Sequence, residues 1–306
     1  MTIETRPANV LTLREVLGSA TASGFGVGSF AARYTPMVRP ILRGAQRTQS
    51  PAIVQISQKE LARYGIGPAE VSSQFYDVLR NEGITVPVVL HLDHTRQIDI
   101  IHEAISAGFT SVMIDASEMP FAENAATIRE IVEYAHPRSV SVEAELGRIG
   151  TTDFVETEHD EEMYTDPDEA AQFVDMTGVD ALAVSVGTAH GVYNVRQPKI
   201  DFGRLSAIRE LTHVPLVLHG GSGVPSEMMQ HAIRLPGGGV SKVNIATDLE
   251  LAWLEALGRE ERMTNEEAMS LSPEDLRRAQ HAVERTVVEK IQNFVVSEGR
   301  AADIRG

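Results

Sequence analysis

Short apolar runs rich in β-branched residues recur along this chain. Between them, apolar residues return every three or four positions. The runs stand at F-G-V-G-S-F (25–30), A-I-V-Q-I-S (52–57), P-V-V-L-H-L (87–92), T-S-V-M-I-D (110–115), V-S-V-E-A-E (140–145), D-A-L-A-V-S-V (180–186), V-P-L-V-L-H (214–219) and V-S-K-V-N-I (240–245). Near-continuous apolar runs suit strands buried on both faces, and the longer segments carry helical periodicity. One of these, D-P-D-E-A-A-Q-F-V-D-M-T-G (166–178), has its boundaries written into it. Asp166 can cap the first-turn amides, Pro167 fits the first helical position, and Gly178 can take the left-handed turn that stops the helix. Strands alternating with helices predict a parallel sheet. Eight such units fit the roughly 250 residues of a (β/α)8 TIM barrel; an open doubly wound sheet is the alternative. No Pro/Ser-rich linker or break in composition divides the chain, so a single α/β barrel domain over residues 1–306 is expected. Two segments stand outside the repeat. Residues 147–165, G-R-I-G-T-T-D-F-V-E-T-E-H-D-E-E-M-Y-T, form a long acidic loop after the fifth strand, of the kind that makes lids. A C-terminal extension at about 272–299 reads as a long amphipathic helix with a packing or oligomerisation role.

Barrel enzymes keep their chemistry at the C-terminal ends of the strands. Strand two ends at Ser57, strand three runs into Asp93 and His94, and strand four ends at Asp115. Strand five carries Glu143 and Glu145, and strand six leads to G-T-A-H-G with His190. Strand seven ends at His219 before G-G-S-G, and strand eight ends in N-I-A-T. Polar groups selected for packing alone would scatter over both rims; these gather on one. Three of them, His94, His190 and His219, come from three different strands. Three imidazoles with an open position make a common catalytic zinc arrangement. Strict alternation of side chains puts His91 and His94 on opposite faces, and lets Asp93 and His94 flank a substrate from different sides. The other histidines (102, 136, 159, 213, 231 and 281) lie away from strand ends and read as surface or packing residues. The turns at 220–223 and 244–247 follow strands seven and eight. Barrels commonly bind phosphate there, through backbone N–H groups and a helix N-terminus.

Composition narrows the functional classes. The net charge of −16 disfavours nucleic acid as a main partner. An anionic substrate would then need local backbone dipoles to overcome the global field. Cysteine is absent, which removes disulfides and thiol chemistry. No apolar run approaches the length of about 18 residues that a membrane helix needs, and the N-terminus carries no signal-peptide pattern. The expectation is a cytoplasmic protein with no membrane partner.

With these residues placed, the sequence resembles the class II, zinc-dependent ketose-bisphosphate aldolases of the fructose/tagatose-bisphosphate type, the tagatose branch especially. The matching stretches are H-L-D-H (91–94), S-V-M-I-D-A-S (111–117), V-E-A-E-L-G-R-I-G (142–150), T-G-V-D-A-L-A-V-S-V-G-T-A-H-G (177–191), V-P-L-V-L-H-G-G-S-G-V-P (214–225) and K-V-N-I-A-T-D-L (242–249). The resemblance implies reversible cleavage of a phosphorylated ketose to dihydroxyacetone phosphate and an aldehyde. It implies one catalytic zinc on His94, His190 and His219, with Asp93 as acid/base. Asp115 and Glu145 match positions that can take a displaced or second divalent ion, or a monovalent one. Gly191, Gly220, Gly221, Ser222, Asn244, Ile245, Ala246 and Thr247 match the residues holding the dihydroxyacetone-phosphate half, and Ser57 joins them as a substrate-side candidate. A homodimer or homotetramer is expected. The chain departs from the family at S-F-A-A-R-Y-T-P-M (29–37), at Q-K-E (58–60), at L-P-G-G-G-V (235–240) and in the lid. There G-T-T-D-F puts Asp153 roughly where a catalytic Glu is usual, with Glu156 as second candidate. Three rivals stay open: a Schiff-base enzyme using Lys242, another metal-dependent barrel such as an epimerase or hydrolase, and a non-catalytic sugar-phosphate-binding accessory subunit or sensor.

Overall fold

In the computed structural model, which describes residues 6–150, 163–191 and 197–304, the eight runs are eight parallel strands. They are β1 (Val27–Ala31), β2 (Ala52–Ser57), β3 (Val88–Thr95), β4 (Ser111–Ile114), β5 (Ser141–Leu146), β6 (Ala181–Val184), β7 (Leu216–Leu218) and β8 (Val240–Ile245). They follow one another in chain order round a closed barrel, with β1 bonded to both β2 and β8. The helices are α1 (Leu13–Ser23), α2 (Val38–Arg47), α3 (Gln58–Tyr64), α4 (Pro68–Glu82), α5 (Ile98–Ala107) and α6 (Phe121–Ala135). They continue as α7 (Pro167–Thr177), α8 (Phe202–Leu211), α9 (Ser226–Ile233), α10 (Thr247–Ala256), α11 (Asn265–Met269) and α12 (Pro273–Glu289). The local signals act as read. Asp166 accepts from the N–H groups of Asp168 and Glu169 at the start of α7, and Gly178 ends that helix at φ 70°. Among the described residues no helix is long and apolar enough to cross a membrane.

Side-chain alternation sorts the barrel interior into layers. At the N-terminal end, Val27, Ile53, Val89, Ala181 and Val217 are fully buried, and α1 lies across them with Leu13, Val16, Leu17 and Ala20. One step up, Ser29, Gln55, His91, Ser111, Glu143 and Lys242 face inward, all buried. Asp93, Glu145, His219 and Asn244 follow at the C-terminal rim. The interior thus changes from apolar to ionic along the barrel axis. An apolar floor under a polar layer lowers the local dielectric and strengthens every interaction above it.

The C-terminal helix stops short of the expected residue 299. α12 keeps α geometry to Glu289, widens into a π turn over Lys290–Phe294, and the chain then breaks at Val296, whose φ is +53°. The cause is tertiary. The N–H of Gly26 donates to the Val295 carbonyl at 3.1 Å, and the hydroxyls of Ser50 and Ser297 meet at 2.7 Å. Anchoring to the segments that enter β1 and β2 takes the backbone away from the helix axis.

The divergent stretch after β1 builds an ion cluster. Arg33 pairs with Glu60 at 2.7 Å and with Glu250 of α10, and Arg262 approaches Glu250 at 3.0 Å. Tyr64 and Tyr34 donate to the same carboxylate at 2.8 and 3.2 Å. Burial alone would raise the pKa of Glu250, but Arg33, Tyr64 and Arg262 hold it below its usual range. Its ionisation therefore stabilises the fold fully above the ordinary pKa of about 4.3, and that stability is lost as pH falls through the lower folded value. Glu250→Gln should be less stable at neutral pH, and its loss of stability below about pH 4.3 should be shallower. Urea unfolding at a series of pH values tests this; parallel acid limbs for parent and variant would refute it.

Candidate active site

The strand that carries two candidate residues is also the irregular one. The register of β3 against β4 shifts between Leu92 and Thr95, and His94 sits at φ +36°, an uncommon value for a residue with a Cβ. Such a bulge re-aims a side chain. Strict alternation would turn His94 away from Asp93; the bulge returns it to the rim, so the expectation that the two flank a substrate from opposite faces gives way. His94 lies with its ring centre 4.9 Å from that of His190, in the loop after β6, and 4.4 Å from that of His219, just beyond β7. One nitrogen from each ring falls within 4.8 Å of the others.

Carboxylates orient two of these rings. His94 Nδ1 donates to Asp115 at 3.2 Å and His219 Nε2 to Glu143 at 2.9 Å, because an ionised carboxylate can only accept. His94 Nε2 and His219 Nδ1 are then left facing each other at 2.6 Å. Burial works against charge on all three rings. His94 nevertheless rises to about 9, because Asp93, Asp115 and Glu145 surround it. His190 is held well below its usual value by burial and by the charge on His94, and His219 is lowered for the same reasons. Two of the three imidazoles are thus held neutral, the form that can donate a lone pair to a cation. Among the described residues, buried His190 Nε2 and Glu145 Oε2 have no hydrogen-bond partner, and burial pushes the Glu145 carboxyl up to about 8. The donor set fits a divalent ion on three imidazoles, with carboxylates behind them.

Asp93 is 5% exposed and points into the same space. Asn244 donates to one of its oxygens at 3.1 Å and Gln55 to the other at 3.2 Å. Burial would raise its pKa, but His94, His91, Lys242 and His219 hold it well below the carboxylate range. It is an ionised, fixed carboxylate beside the imidazole cluster.

The turn after β7 and the start of α10 form one corner. A side chain at Gly220, whose φ is +68°, would collide with the Ala189 carbonyl. At Gly221 a Cβ would stand 2.6 Å from Val243 and 2.8 Å from the Asn244 carbonyl. Both positions therefore need glycine for close backbone approach. Ser222 Oγ accepts from the Asp248 N–H at 3.3 Å, bridging this turn to α10, whose own N-cap residue, Ala246, supplies no capping side chain. Ile245 is fully buried in the core, so only its backbone is available to a ligand. Gly191 follows His190 at φ +119°. Ser57 is tied up in a capping box: its hydroxyl accepts from the Glu60 N–H at 3.2 Å and donates to the Glu60 carboxylate at 3.0 Å. The acidic loop enters and leaves side by side, with Arg148 N–H on the Met163 carbonyl at 2.8 Å. Gly150 accepts from His190 N–H at 2.9 Å. Asp153, Glu156 and His159 lie outside the described residues.

The family profile for class-II fructose-bisphosphate aldolase matches residues 11–300. The chain belongs to this family. This class II aldolase is 38% identical over 294 residues to the fructose-bisphosphate aldolase of Geobacillus stearothermophilus, covering 96% of this chain and 99% of that one. The Staphylococcus aureus (strain Mu50) enzyme of the same name is 37% identical over 94% of this chain and 98% of its own. The crystal structure of the YdjI aldolase from Escherichia coli K12 superposes with a TM-score of 0.80 at 32% identity, covering 95% of this chain and 99% of that one. The protein is thus a carbon–carbon lyase with metal-dependent cleavage chemistry and a phosphorylated-sugar substrate.

One buried element of this aldolase was not anticipated as such. Lys242 is 0% exposed, and its ammonium lies 2.9 Å from Glu143 Oε2, 3.4 Å from His91 Nε2 and 3.9 Å from Asp93 Oδ1. His91, Asp93 and Glu143 could themselves hold a cation; the lysine ammonium fills that role. Lys242, His219 and His91 bring Glu143 down to about 2, against its burial. A buried ammonium already bound by carboxylates is poorly suited to forming a Schiff base, which sets aside the lysine reading. The available signal was a Lys and a Glu of opposite sign in the middle of two buried strands. His91 is a satisfied interior residue, its Nδ1 2.8 Å from Ser111 Oγ.

Proposed function

We propose that this aldolase cleaves a phosphorylated ketose to dihydroxyacetone phosphate and an aldehyde, using one divalent ion held by His94, His190 and His219. Zinc is the ion best matched to three imidazoles and an open position. When bound, it supplies Lewis acidity for the negative charge that builds on the substrate carbonyl oxygen. The observation that carries the reading is an ionised Asp93, clamped by two amides, beside three imidazoles from three different strands. Asp93 takes the proton of the hydroxyl on the carbon that becomes the aldehyde. The adjacent carbon–carbon bond breaks, and its electrons pass to the ketone side as an enediolate. Asp93 returns that proton in condensation. Gln55 and Asn244 keep its oxygens aimed. The phosphate of the dihydroxyacetone half binds at Gly191, Gly220, Gly221, Ser222 and Asn244–Thr247. Backbone dipoles hold it locally against the negative global charge. Asp115 and Glu145 orient the ion or receive it in a displaced position. Ser57 supports the substrate side through α3, whose start it caps. Asp153, or failing that Glu156, delivers the proton to the enediolate carbon when the 147–165 loop closes. Assembly as a homodimer or homotetramer in the cytoplasm completes the reading; a monomeric mass by light scattering would remove the oligomer.

Two assays separate these roles. A panel of phosphorylated ketoses with coupled detection of dihydroxyacetone phosphate reads cleavage, and exchange of the dihydroxyacetone-phosphate proton with solvent reads the lid step alone. Asp93→Asn should stay folded with its metal content intact and lose about 10²-fold or more in cleavage. Asp153→Ala and Glu156→Ala should slow exchange. Unchanged turnover in Asp93→Asn would move the proton to another group, and parental exchange rates in both loop variants would leave the loop without a proton role.

A further inference from the structure

The C-terminal helix ends against the phosphate corner, and one of its charges faces it. Asp248 stands in the first turn of α10, with its N–H on Ser222 Oγ. A carboxylate there suits the helix dipole but opposes a phosphate bound at the same helix end. Lys290 Nζ lies 2.8 Å from Asp248 Oδ2, an ion pair by proximity whose angle falls short of an aligned hydrogen bond. The two side chains are 14% and 23% exposed, so water screens the pair less than it would at an open surface. A second carboxylate, Glu289, stands 3.9 Å from the same ammonium but is 49% exposed, which weakens its hold. Lys290 opens the π turn that closes the helix, and Phe294 ends it. Lys290 Nζ lies 4.6 Å from the centre of the Phe294 ring, and that fully buried ring backs Gly221, where a Cβ would stand 3.6 Å from it. π turns are rare and tend to sit at functional sites. This one sets an aromatic ring against one half of the corner and a positive charge against the other. At the neighbouring end of β8, Asn244 Oδ1 is buried with no hydrogen-bond partner among the described residues.

We propose that Lys290 is a positioning residue of the phosphate corner: by cancelling the Asp248 carboxylate, the C-terminal helix lets the α10 end accept a phosphate dianion. This rests on the phosphate reading of residues 220–222 and 244–247 given above. It gives the C-terminal helix a part in substrate binding as well as packing. The probe is inorganic phosphate, titrated into the metal-loaded protein by calorimetry and tested as a competitor of dihydroxyacetone phosphate in the exchange assay. Lys290→Met, with Lys290→Gln as a second form, should weaken phosphate by about five- to tenfold, as expected of an uncancelled charge several ångströms from a dianion in partly screened surroundings. The loss should shrink at high salt. Asp248→Asn should bind phosphate at least as tightly as the parent. Lys290→Met combined with Asp248→Asn should return to within about twofold of the parent, since both charges are then gone. A packing defect would not be repaired by a second charge removal, so a double variant as weak as the single would overturn the inference. So would parental affinity in Lys290→Met, with Ser222→Ala still weakened; that result leaves the phosphate corner standing. Phosphate that fails to compete in the parental protein would overturn the corner, and this inference with it.

Discussion

Stripping the divalent ion with a chelator should cut cleavage by about 10³-fold or more, and zinc should restore it. An electrophile that stabilises developing oxyanion charge is worth several kcal/mol, and no described residue replaces it. Asp93 is negative, Glu145 is an acid, and among the described residues the cations nearest the space are His94, when protonated, and the buried end of Lys242. Replacing any one of the three histidines with Ala should lower both metal content and activity. His219→Ala should cost more than activity, because Glu143 then loses the hydrogen bond it now receives at 2.9 Å. His190→Ala is the cleaner probe: its Nε2 has no hydrogen-bond partner among the described residues, so removing that atom breaks no hydrogen bond like the one from His219 to Glu143. Elemental analysis alongside turnover checks the expectation. Stoichiometric metal surviving in both His190→Ala and His219→Ala would sink the three-histidine site.

Lys242→Met should destabilise the protein by about 3–5 kcal/mol, the cost of leaving a fully buried carboxylate without its partner. Glu143 and Lys242 are both 0% exposed, and water cannot reach in to take over. Activity should fall as well. Glu143 fixes the tautomer that turns His219 Nδ1 toward His94, and it is Lys242 that keeps Glu143 ionised. Adding Glu143→Gln to Lys242→Met should recover much of the stability and little of the activity, since an amide no longer demands a counter-charge but orients His219 less firmly. Urea unfolding of the metal-free proteins separates the two effects. A single variant as stable as the parent would mean that Glu143 takes up a proton at no cost, and that the ion pair has no structural weight.

The eight strands were legible because burial on both faces forces apolar, β-branched runs whatever their neighbours. The α7 boundaries were legible because Asp166, Pro167 and Gly178 act within a few residues of themselves. The rim was legible for a related reason: His94, Asp115, Glu145 and His219 lie at strand ends and His190 in the loop after one, and a parallel barrel puts all such ends on one side. Local pattern could not supply what depends on partners far away in the chain. The alternation rule, sound for a regular strand, turned His94 the wrong way because the β3 bulge arises from its register with β4. The last turns of the C-terminal helix diverged because Gly26 and Ser50 hold residues 295–297. Lys242, Glu143 and His91 come from three strands and make sense only once the closed barrel stacks them in one layer. The motifs thus marked where chemistry would gather. The closed ring of strands decided which charges would meet, because only it brings together residues a hundred positions apart in a space that excludes water.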